Sequence, residues 1–303
     1  MTTPAAPAPH AQVQNTGLGI IFRVAAMCCM AGLGAIVKWT SGKGVPVLEI
    51  VFFRNAFAFV PVLLYISQTA GLGVLKTRRP VGHLVRSTIG LSGMVFGFSA
   101  VSLLPLTQST ALSFSTPLFM TALSALILRE PVGAHRWAAV VVGFIGVVIM
   151  IHPDPAHFAG IGVVFALIAA VSAAGAQIAI REIGRTEPGP TIVFYFTLAG
   201  TVLGLASLPF GWIIPDLPVL GLLILGGLLG GVGQLFLTEA LRRANVAVVA
   251  PFDYTQMVWA TLFGFFIWHE VPKVFTWVGA LVVAGSGVYI LLRETRRFRL
   301  PPA

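Results

Sequence analysis

Charged side chains are scarce in this sequence. Asp, Glu, Lys and Arg make up 10% of the 303 residues, whereas hydrophobic residues make up 57%. Soluble domains carry roughly 25% charged residues, and a soluble fold could not keep so much apolar surface away from water. The composition therefore excludes an ordinary soluble protein and indicates a chain that lies in a lipid bilayer.

Cysteine is nearly absent as well. The only two, Cys28 and Cys29, are neighbours in an apolar stretch. Neighbouring helical residues point about 100° apart, so the pair fits small buried apolar side chains better than a disulfide or a metal site. The phosphate-binding pattern GxxxxGK[ST] is also missing. The sequence therefore offers no site for nucleotide hydrolysis.

Apolar windows of about 20 residues recur along the whole sequence, and each is long enough to cross about 30 Å of hydrocarbon. They predict ten transmembrane helices and an all-α integral membrane fold. A β-barrel would instead show alternating polarity in much weaker segments. The predicted helices span residues 17–39, 46–67, 84–104, 106–128, 135–151, 160–181, 190–209, 217–238, 246–268 and 274–292.

The loops between these helices differ sharply in basic charge. Counted alternately from the N-terminus, one side receives fifteen Lys and Arg residues, Arg23 and Arg86 among them, and the other receives three. This positive-inside bias predicts a protein of the bacterial inner membrane with both termini in the cytoplasm. The formal charge of +9 therefore sets orientation, and no nucleic-acid partner is expected.

The two ends of the chain differ from the apolar region between them. Residues 1–16 contain no Lys or Arg, so they lack the charged start of a signal peptide, and their proline, alanine and polar residues predict a disordered cytoplasmic tail. Residues 294–303 form a basic cytoplasmic tail. The ten-helix membrane domain between them covers residues 17–293.

The second half of the sequence repeats the first. At a shift of 140 residues, without a gap, Glu130 aligns with Glu270, and the segment 50–54 echoes 192–196 at a shift of 142. Self-similarity of this kind is a sign of a duplicated architecture. The alignment predicts two five-helix repeats.

These repeats span residues 17–151 and 160–293. Because five is an odd number, the second copy crosses the membrane upside down relative to the first. Inverted repeats place a substrate site between the halves, near the membrane midplane, around a central cavity.

Ionisable residues inside the predicted helices are the first candidates for a substrate site, because charges in a membrane are costly and usually face a cavity or a partner. Asp253 lies about 10 Å inside its helix from the cytoplasmic end, and Arg54 lies at a similar depth from the other end. A structural polar clamp is the alternative role for both. Glu49 and Lys38 lie nearer the periplasmic edge, where a mutual ion pair would be adequate.

Polar residues on two equivalent helices extend this site. Asp253 and Gln256 share a helix face, and a shift of 140 residues brings them onto Ser113 and Thr116. Pro117 and Pro251 interrupt the same two helices and free carbonyl groups that could line a cavity. The fourth and ninth helices are therefore predicted to line it.

Three further residues complete the predicted substrate site. Tyr195 and Tyr254 could cover an apolar part of a ligand, although a core or lipid contact is the more common role of a single aromatic residue. Gln177 is a polar group near the middle of its helix, where an interhelical hydrogen bond is the alternative. The predicted substrate-binding residues are thus Arg54, Ser113, Thr116, Gln177, Tyr195, Asp253, Tyr254 and Gln256.

Other functional classes have weaker support. Gly90–Gly93 reads GLSG, which resembles the GxSG motif of intramembrane serine proteases, but all six histidines lie in the tail, in loops or at helix ends, so no base lies at a similar depth. His152, Asp154 and His157 in a proline-rich loop could suggest a metal. A non-transporting accessory protein is disfavoured by the polar face that recurs in both halves.

Two stretches, Lys38–Asn55 and Leu104–Trp137, look typical of a known family. With the ten helices and the repeat, residues 17–293 resemble the EamA type of the drug/metabolite transporter superfamily. The resemblance implies a basket of helices around a central cavity, a small-molecule substrate and no cofactor. Its members include YddG-like amino-acid exporters and importers of riboflavin or S-adenosylmethionine. We therefore expect a secondary transporter, with amino-acid export as the first hypothesis and uptake of a larger metabolite as the alternative; oligomeric state stays open.

Overall fold

The computed structural model describes residues 15–69, 71–127, 133–151, 160–244 and 246–297. Glu130, the histidine-containing loop 152–159 and most of both predicted tails lie outside the described residues. Within the described part of the chain, all regular structure is helical. The all-α prediction is confirmed.

Ten helical spans follow one another along the chain. Eight of them are continuous, and the fourth and ninth are each built from shorter segments. The continuous spans are α1 (Thr16–Gly42), α2 (Val47–Thr69), α3 (Pro80–Leu103), α5 (Ala134–Ile151), α6 (Gly160–Ile183), α7 (Gly189–Ala206), α8 (Leu217–Arg243) and α10 (Val274–Arg297). The interrupted spans are α4 (Leu106–Ser113 and Thr116–Ile127) and α9 (Val246–Val249, a 3-10 turn Ala250–Tyr254, and Thr255–Trp268).

These spans match a membrane protein in length and composition. Seven of them, including α4 taken as a whole, are long and apolar enough to cross a bilayer, and α5 and α10 contribute shorter apolar stretches, Trp137–Ile151 and Val274–Ile290. With the interrupted α9, the chain has the ten-helix membrane fold expected from the sequence. Exposed large apolar side chains along the spans, such as Val164 and Ile168 on α6, provide a surface suited to lipid.

The interruptions of α4 and α9 coincide with the two prolines identified in the sequence. Pro117 follows the break between Ser113 and Thr116, and Pro251 lies inside the 3-10 turn of α9. Proline has no N–H to donate, and its ring clashes with the carbonyl four residues earlier, so an α-helix does not continue undisturbed through it. The turn of α9 carries Asp253, which therefore lies at a helix break rather than within a regular helix.

Helix α8 lies against two neighbours through two stripes of glycine. Gly226, Gly230 and Gly233 approach side chains of α1 or the Arg54 side chain, whereas Gly227 and Gly231 meet α2. A Cβ atom on Gly227 would lie 2.6 Å from the Phe53 carbonyl oxygen. Small residues four apart let helix backbones come this close, so these glycines serve helix packing.

The helix pairs of the two halves correspond. Helix α1 of the first half packs along α8 of the second, and in the same way α3 of the first packs along α6 of the second. Helices α5 and α10, which end the two repeats, cross each other closely enough that a Cβ atom on Gly146 would lie 2.9 Å from the Gly279 carbonyl oxygen. The halves are therefore interleaved rather than side by side.

We expect Gly227→Val to destabilise the protein by roughly 1–3 kcal/mol, because the added side chain must push α2 away from α8. Gly221 lies on the same helix with nothing within 4 Å of its Cβ position, so Gly221→Val is the matched control. Thermal melting in detergent measures both, and equal melting temperatures would show that the α2–α8 contact is not tight.

Candidate functional site

A small cavity lies between α2, α3, α7 and α8, close to the middle of the helix bundle. Its volume is about 20 Å³, which is room for about one water molecule. Two helices of the cavity belong to the first half of the chain and two to the second. It is lined by Arg54, Ala58, Val62, Arg86, Val193, Phe196, Thr197, Gly230, Gly231 and Gln234.

Arg54 is the only residue of the predicted site that lines this cavity. Its side chain is 8% exposed, its Nη1 donates a hydrogen bond to Asn55 Oδ1 at 3.0 Å, and its Nε has no partner. The Asn55 amide is held in turn, because its Nδ2 donates to the Val51 carbonyl at 2.8 Å. Among the described residues, Arg54 has no carboxylate partner.

Arg86 is the functional candidate that the sequence did not identify. Its guanidinium carbon lies 3.7 Å from the centre of the Phe196 ring, and the Arg54 guanidinium lies 5.8 Å from the same centre. Arg86 is 9% exposed, and its Nε and Nη1 have no hydrogen-bond partner. It was counted among the cytoplasmic flanking charges, but α3 begins at Pro80, which places Arg86 about 9 Å inside the helix.

Two glycines make room for the long side chains of this cavity. A Cβ atom on Gly90 would lie 3.0 Å from Phe196 Cε2, and one on Gly230 would lie 3.1 Å from Arg54 Nε. In the repeat alignment Gly230 is the counterpart of Gly90, and Phe196 is the counterpart of Arg54. The two contacts are therefore equivalent, and the cavity lies where the two halves face each other.

Asp253 is engaged with a different arginine. Arg23 of α1 donates to the Asp253 carboxylate with both Nε and Nη2, in a two-pronged ion pair. Arg23 is seven residues into α1, which begins at Thr16, and therefore lies about 10 Å from the start of that helix. This partner was overlooked because Arg23 was assigned to a cytoplasmic loop. The structure does not bring Asp253 and Arg54 into one cavity.

Lys38 and Glu270 form a second ion pair near the opposite end of α1. Lys38 Nζ also donates to the Leu104 carbonyl at 2.8 Å, and Glu270 Oε2 accepts from the Leu106 backbone N–H at 3.0 Å. Leu106 is the first residue of α4, whose N–H has no partner inside its own helix. Glu270 of the second half thus holds two elements of the first, and Lys38 does not pair with Glu49 as the sequence suggested.

Glu49 is fully buried in the first turn of α2. One carboxylate oxygen accepts from the Ile213 backbone N–H at 3.1 Å, and the other has no partner. Glu49 therefore ties α2 to the connection between α7 and α8.

The polar face predicted on α4 satisfies itself locally. Ser113 Oγ donates to the Thr110 carbonyl at 2.6 Å, and Thr116 Oγ1 donates to the Ser113 carbonyl at 2.7 Å. These bonds occupy carbonyl groups at the helix break. Ser113 is nevertheless exposed, and Thr116 is half-buried, as is Gln256 on α9.

Tyr254 lies at the contact between the two interrupted helices. Its ring packs edge-on against Phe114 of α4, with ring centres 4.8 Å apart. Phe114 and Tyr254 are 140 residues apart and are therefore equivalent in the repeat. Helices α4 and α9 meet through matching positions.

Tyr195 faces the connection between α2 and α3 and not the cavity. Its hydroxyl donates to the Leu75 carbonyl at 3.0 Å, and its ring stacks on His83 with centres 4.6 Å apart. Gln177 is exposed although it lies seven residues after the buried Ala170, hence on the same helix face. Neither residue meets Arg54.

A carboxylate of the loop between α6 and α7 binds the connection that precedes α3. Glu187 Oε1 accepts from the Arg78 backbone N–H at 2.9 Å, and this bond, with further hydrogen bonds from neighbouring side chains, lowers the pKa of Glu187 below its usual value. His83 Nε2 lies 3.6 Å from the other carboxylate oxygen. The loop before α3 is thereby fixed to the loop before α7.

Comparison with known proteins gives consistent matches along almost the whole chain. It is 30% identical to the riboflavin transporter of Rhizobium johnstonii, with 94% of each chain covered. It is 29% identical to the S-adenosylmethionine uptake transporter of Rickettsia bellii (82% of this chain, 84% of the relative) and 30% identical to the pseudopaline exporter CntI of Pseudomonas aeruginosa (88% and 93%).

A solved crystal structure shares the fold, with a TM-score of 0.64 at 19% identity, over 93% of this chain and 99% of the solved one. The model of the EamA-like transporter family matches twice, over residues 17–152 and 160–293. The chain therefore belongs to the EamA-like transporter family, and it is a multi-pass membrane protein that transports small metabolites.

Proposed function

We propose that this transporter exports amino acids by alternating access, in which the two halves open the substrate site to one side of the membrane at a time. The observation that carries the proposal is that ion pairs join the two halves at two depths. Arg23–Asp253 lies toward the cytoplasmic side, and Lys38–Glu270 lies at the periplasmic end. Opening either side requires that one of these contacts be broken.

Each pair is positioned to act on one side only. Both lysine and arginine come from α1, and residues 23 and 38 are about 22 Å apart along that helix. Both acidic partners come from the second half: Asp253 lies in the 3-10 turn of α9, and Glu270 lies just after the last residue of α9. A tilt of α9 against α1 would therefore strain one pair before the other.

Contacts between equivalent residues support a rocking motion. Phe114 touches Tyr254, and Arg54 approaches Phe196. An in-plane two-fold axis between inverted repeats would produce such contacts. A motion around that axis keeps these residues together while the ends of the helices separate.

Amino acids are the first substrate class to test. An amino acid carries a carboxylate, and Arg54 offers a buried guanidinium whose Nε has no partner. Thr197 and Gln234 supply further polar groups in the same cavity. Uptake of a larger metabolite is the second candidate, because two of the similar proteins are named as importers of riboflavin and S-adenosylmethionine.

The proposed orientation places both termini in the cytoplasm, as the loop charges indicate. We expect a fluorescent protein fused at the C-terminus to fluoresce and alkaline phosphatase fused there to be inactive. The same phosphatase inserted at Gly44, in the exposed turn between α1 and α2, should be active. A reversed pattern would contradict the orientation.

Glu270→Gln should reduce amino-acid flux in liposomes by about tenfold, which corresponds to about 1.4 kcal/mol, because an unpaired Lys38 weakens the closed periplasmic end. Arg185, exposed and paired with Glu182 in a cytoplasmic segment, provides the control Arg185→Gln.

Flux of riboflavin or S-adenosylmethionine in place of any amino acid would favour the second candidate. Unchanged flux in Glu270→Gln would remove the role of this pair.

Asp253→Asn and the double variant Arg23→Gln/Asp253→Asn separate transport from stability. The single change leaves Arg23 charged, partly buried and unpaired, which lowers the melting temperature, whereas the double change removes both charges and restores it in part. If the pair acts in transport, flux stays low in both variants. Recovery of flux along with stability would show that the pair is only a clamp.

A further inference from the structure

Two buried arginines of the central cavity lack any negative partner. Neither Arg54 nor Arg86 forms an ion pair within the described residues, and Nε of both and Nη1 of Arg86 are buried without a hydrogen-bond acceptor. A guanidinium stays protonated in proteins, so the cavity holds two like charges. Buried charges without compensation are strongly unfavourable.

The rest of the lining does not supply the missing charge. Among the residues that the structure describes, Gln234 and Thr197 are its only other polar residues, and no Asp or Glu lines the cavity. The Phe196 ring, which lies against Arg86, offers only the weak attraction of an aromatic face for a cation. The cavity is therefore electropositive, with several N–H donors available to an acceptor that the chain itself does not provide.

The two arginines reach this cavity from opposite membrane sides. Arg54 lies seven residues after the start of α2 at the periplasmic end, and Arg86 lies six residues after the start of α3 at the cytoplasmic end. The backbone of each arginine therefore lies about 9–10 Å along its helix from that end, toward the middle of the membrane. A group bound between them would lie near the midplane, against α7 and α8 of the other half.

We propose that Arg54 and Arg86 together form a binding site for the anionic group of the substrate, a carboxylate or a phosphate ester. The inference rests on the proposed transport function and narrows its substrate class. Planar guanidinium groups bind both kinds of anion through paired N–H donors. Because no acidic residue in the described part of the chain lines the cavity to receive an ammonium group, the site favours metabolites with net negative charge over neutral amino acids.

The present state of the cavity fits a closed transporter. It has room for about one water molecule, so the anionic group must enter when the halves part. Gly90 and Gly230 give the side chains of Phe196 and Arg54 space to lie across the neighbouring helices. The two charges attract an anion into the gap and are compensated once it is bound.

The test uses the full-length protein, purified in detergent and dialysed free of small molecules. Arg86→Met removes one of the two like charges but keeps a long side chain, and Arg185→Met is the matched control at an exposed site. We expect Arg86→Met to melt a few degrees above the parent, because an uncompensated charge is gone. A structural clamp would give the opposite shift, so melting at or below the parent overturns the proposal.

Added probes then identify the ligand class. At constant ionic strength, L-glutamate, succinate, inorganic phosphate and glycerol 3-phosphate are compared with L-leucine. At least one anion should raise the melting temperature of the parent and of Arg185→Met but not of Arg86→Met. The relative effects of the carboxylates and the phosphates distinguish the two chemistries. A parent that no anion stabilises, or that leucine stabilises equally, contradicts the anion site.

Flux measurements on the same preparations keep the two proposals separate. A parent that moves leucine in liposomes but gains no stability from anions remains an amino-acid transporter without this site. A parent that anions stabilise through Arg86, but that moves no amino acid, retains the anion site and loses the proposed amino-acid export.

Discussion

A charge placed in hydrocarbon must be compensated nearby, and this constraint organises the polar interior of the protein. Arg23 meets Asp253 and Lys38 meets Glu270, so two of the charges on α1 are neutralised by residues of the second half. The apolar side chains of the bundle can then pack around these pairs, because each charge in them has a partner of opposite sign. Among the described residues, Arg54 and Arg86 have no acidic partner, and both line the cavity between α2, α3, α7 and α8. Glu49 is also buried without a basic partner, but its carboxylate accepts from the Ile213 backbone N–H.

Close helix packing is the second requirement, and it is met by glycine. In a membrane, helices associate through van der Waals contact and polar bonds rather than through exclusion of water. The two glycine stripes of α8 bring it against α1 and α2 at once. This leaves α8 in the centre, where it can form one wall of the cavity, while α5 and α10 cross at the other side of the bundle.

The sequence was sufficient for the helices and insufficient for their charged contacts. Long apolar windows predict spans because the bilayer dictates their length, and Pro117 and Pro251 marked both helix breaks because proline acts locally. Contacts between distant residues have no such local signal. Arg23 and Arg86 read as flanking charges, since each lies near the start of a helix, and only the arrangement of the helices shows that one meets Asp253 and the other faces Phe196. A count of charges by depth within each window raises Arg23, which lies six residues into the window 17–39. It does not raise Arg86, which lies two residues into the window 84–104 and is deep only because α3 begins earlier, at Pro80.

The pairing of Arg54 with Phe196 at equivalent positions has a consequence for how such a protein can arise. In a dimer of identical five-helix chains, any residue next to the symmetry axis occurs twice, so an arginine there would place two like charges face to face and a phenylalanine would place none. Fusion of the two copies into one gene lifts this restriction. Each half can then change alone. Single substitutions can then produce an asymmetric cavity with an arginine on the helix of one half and a phenylalanine on the equivalent helix of the other.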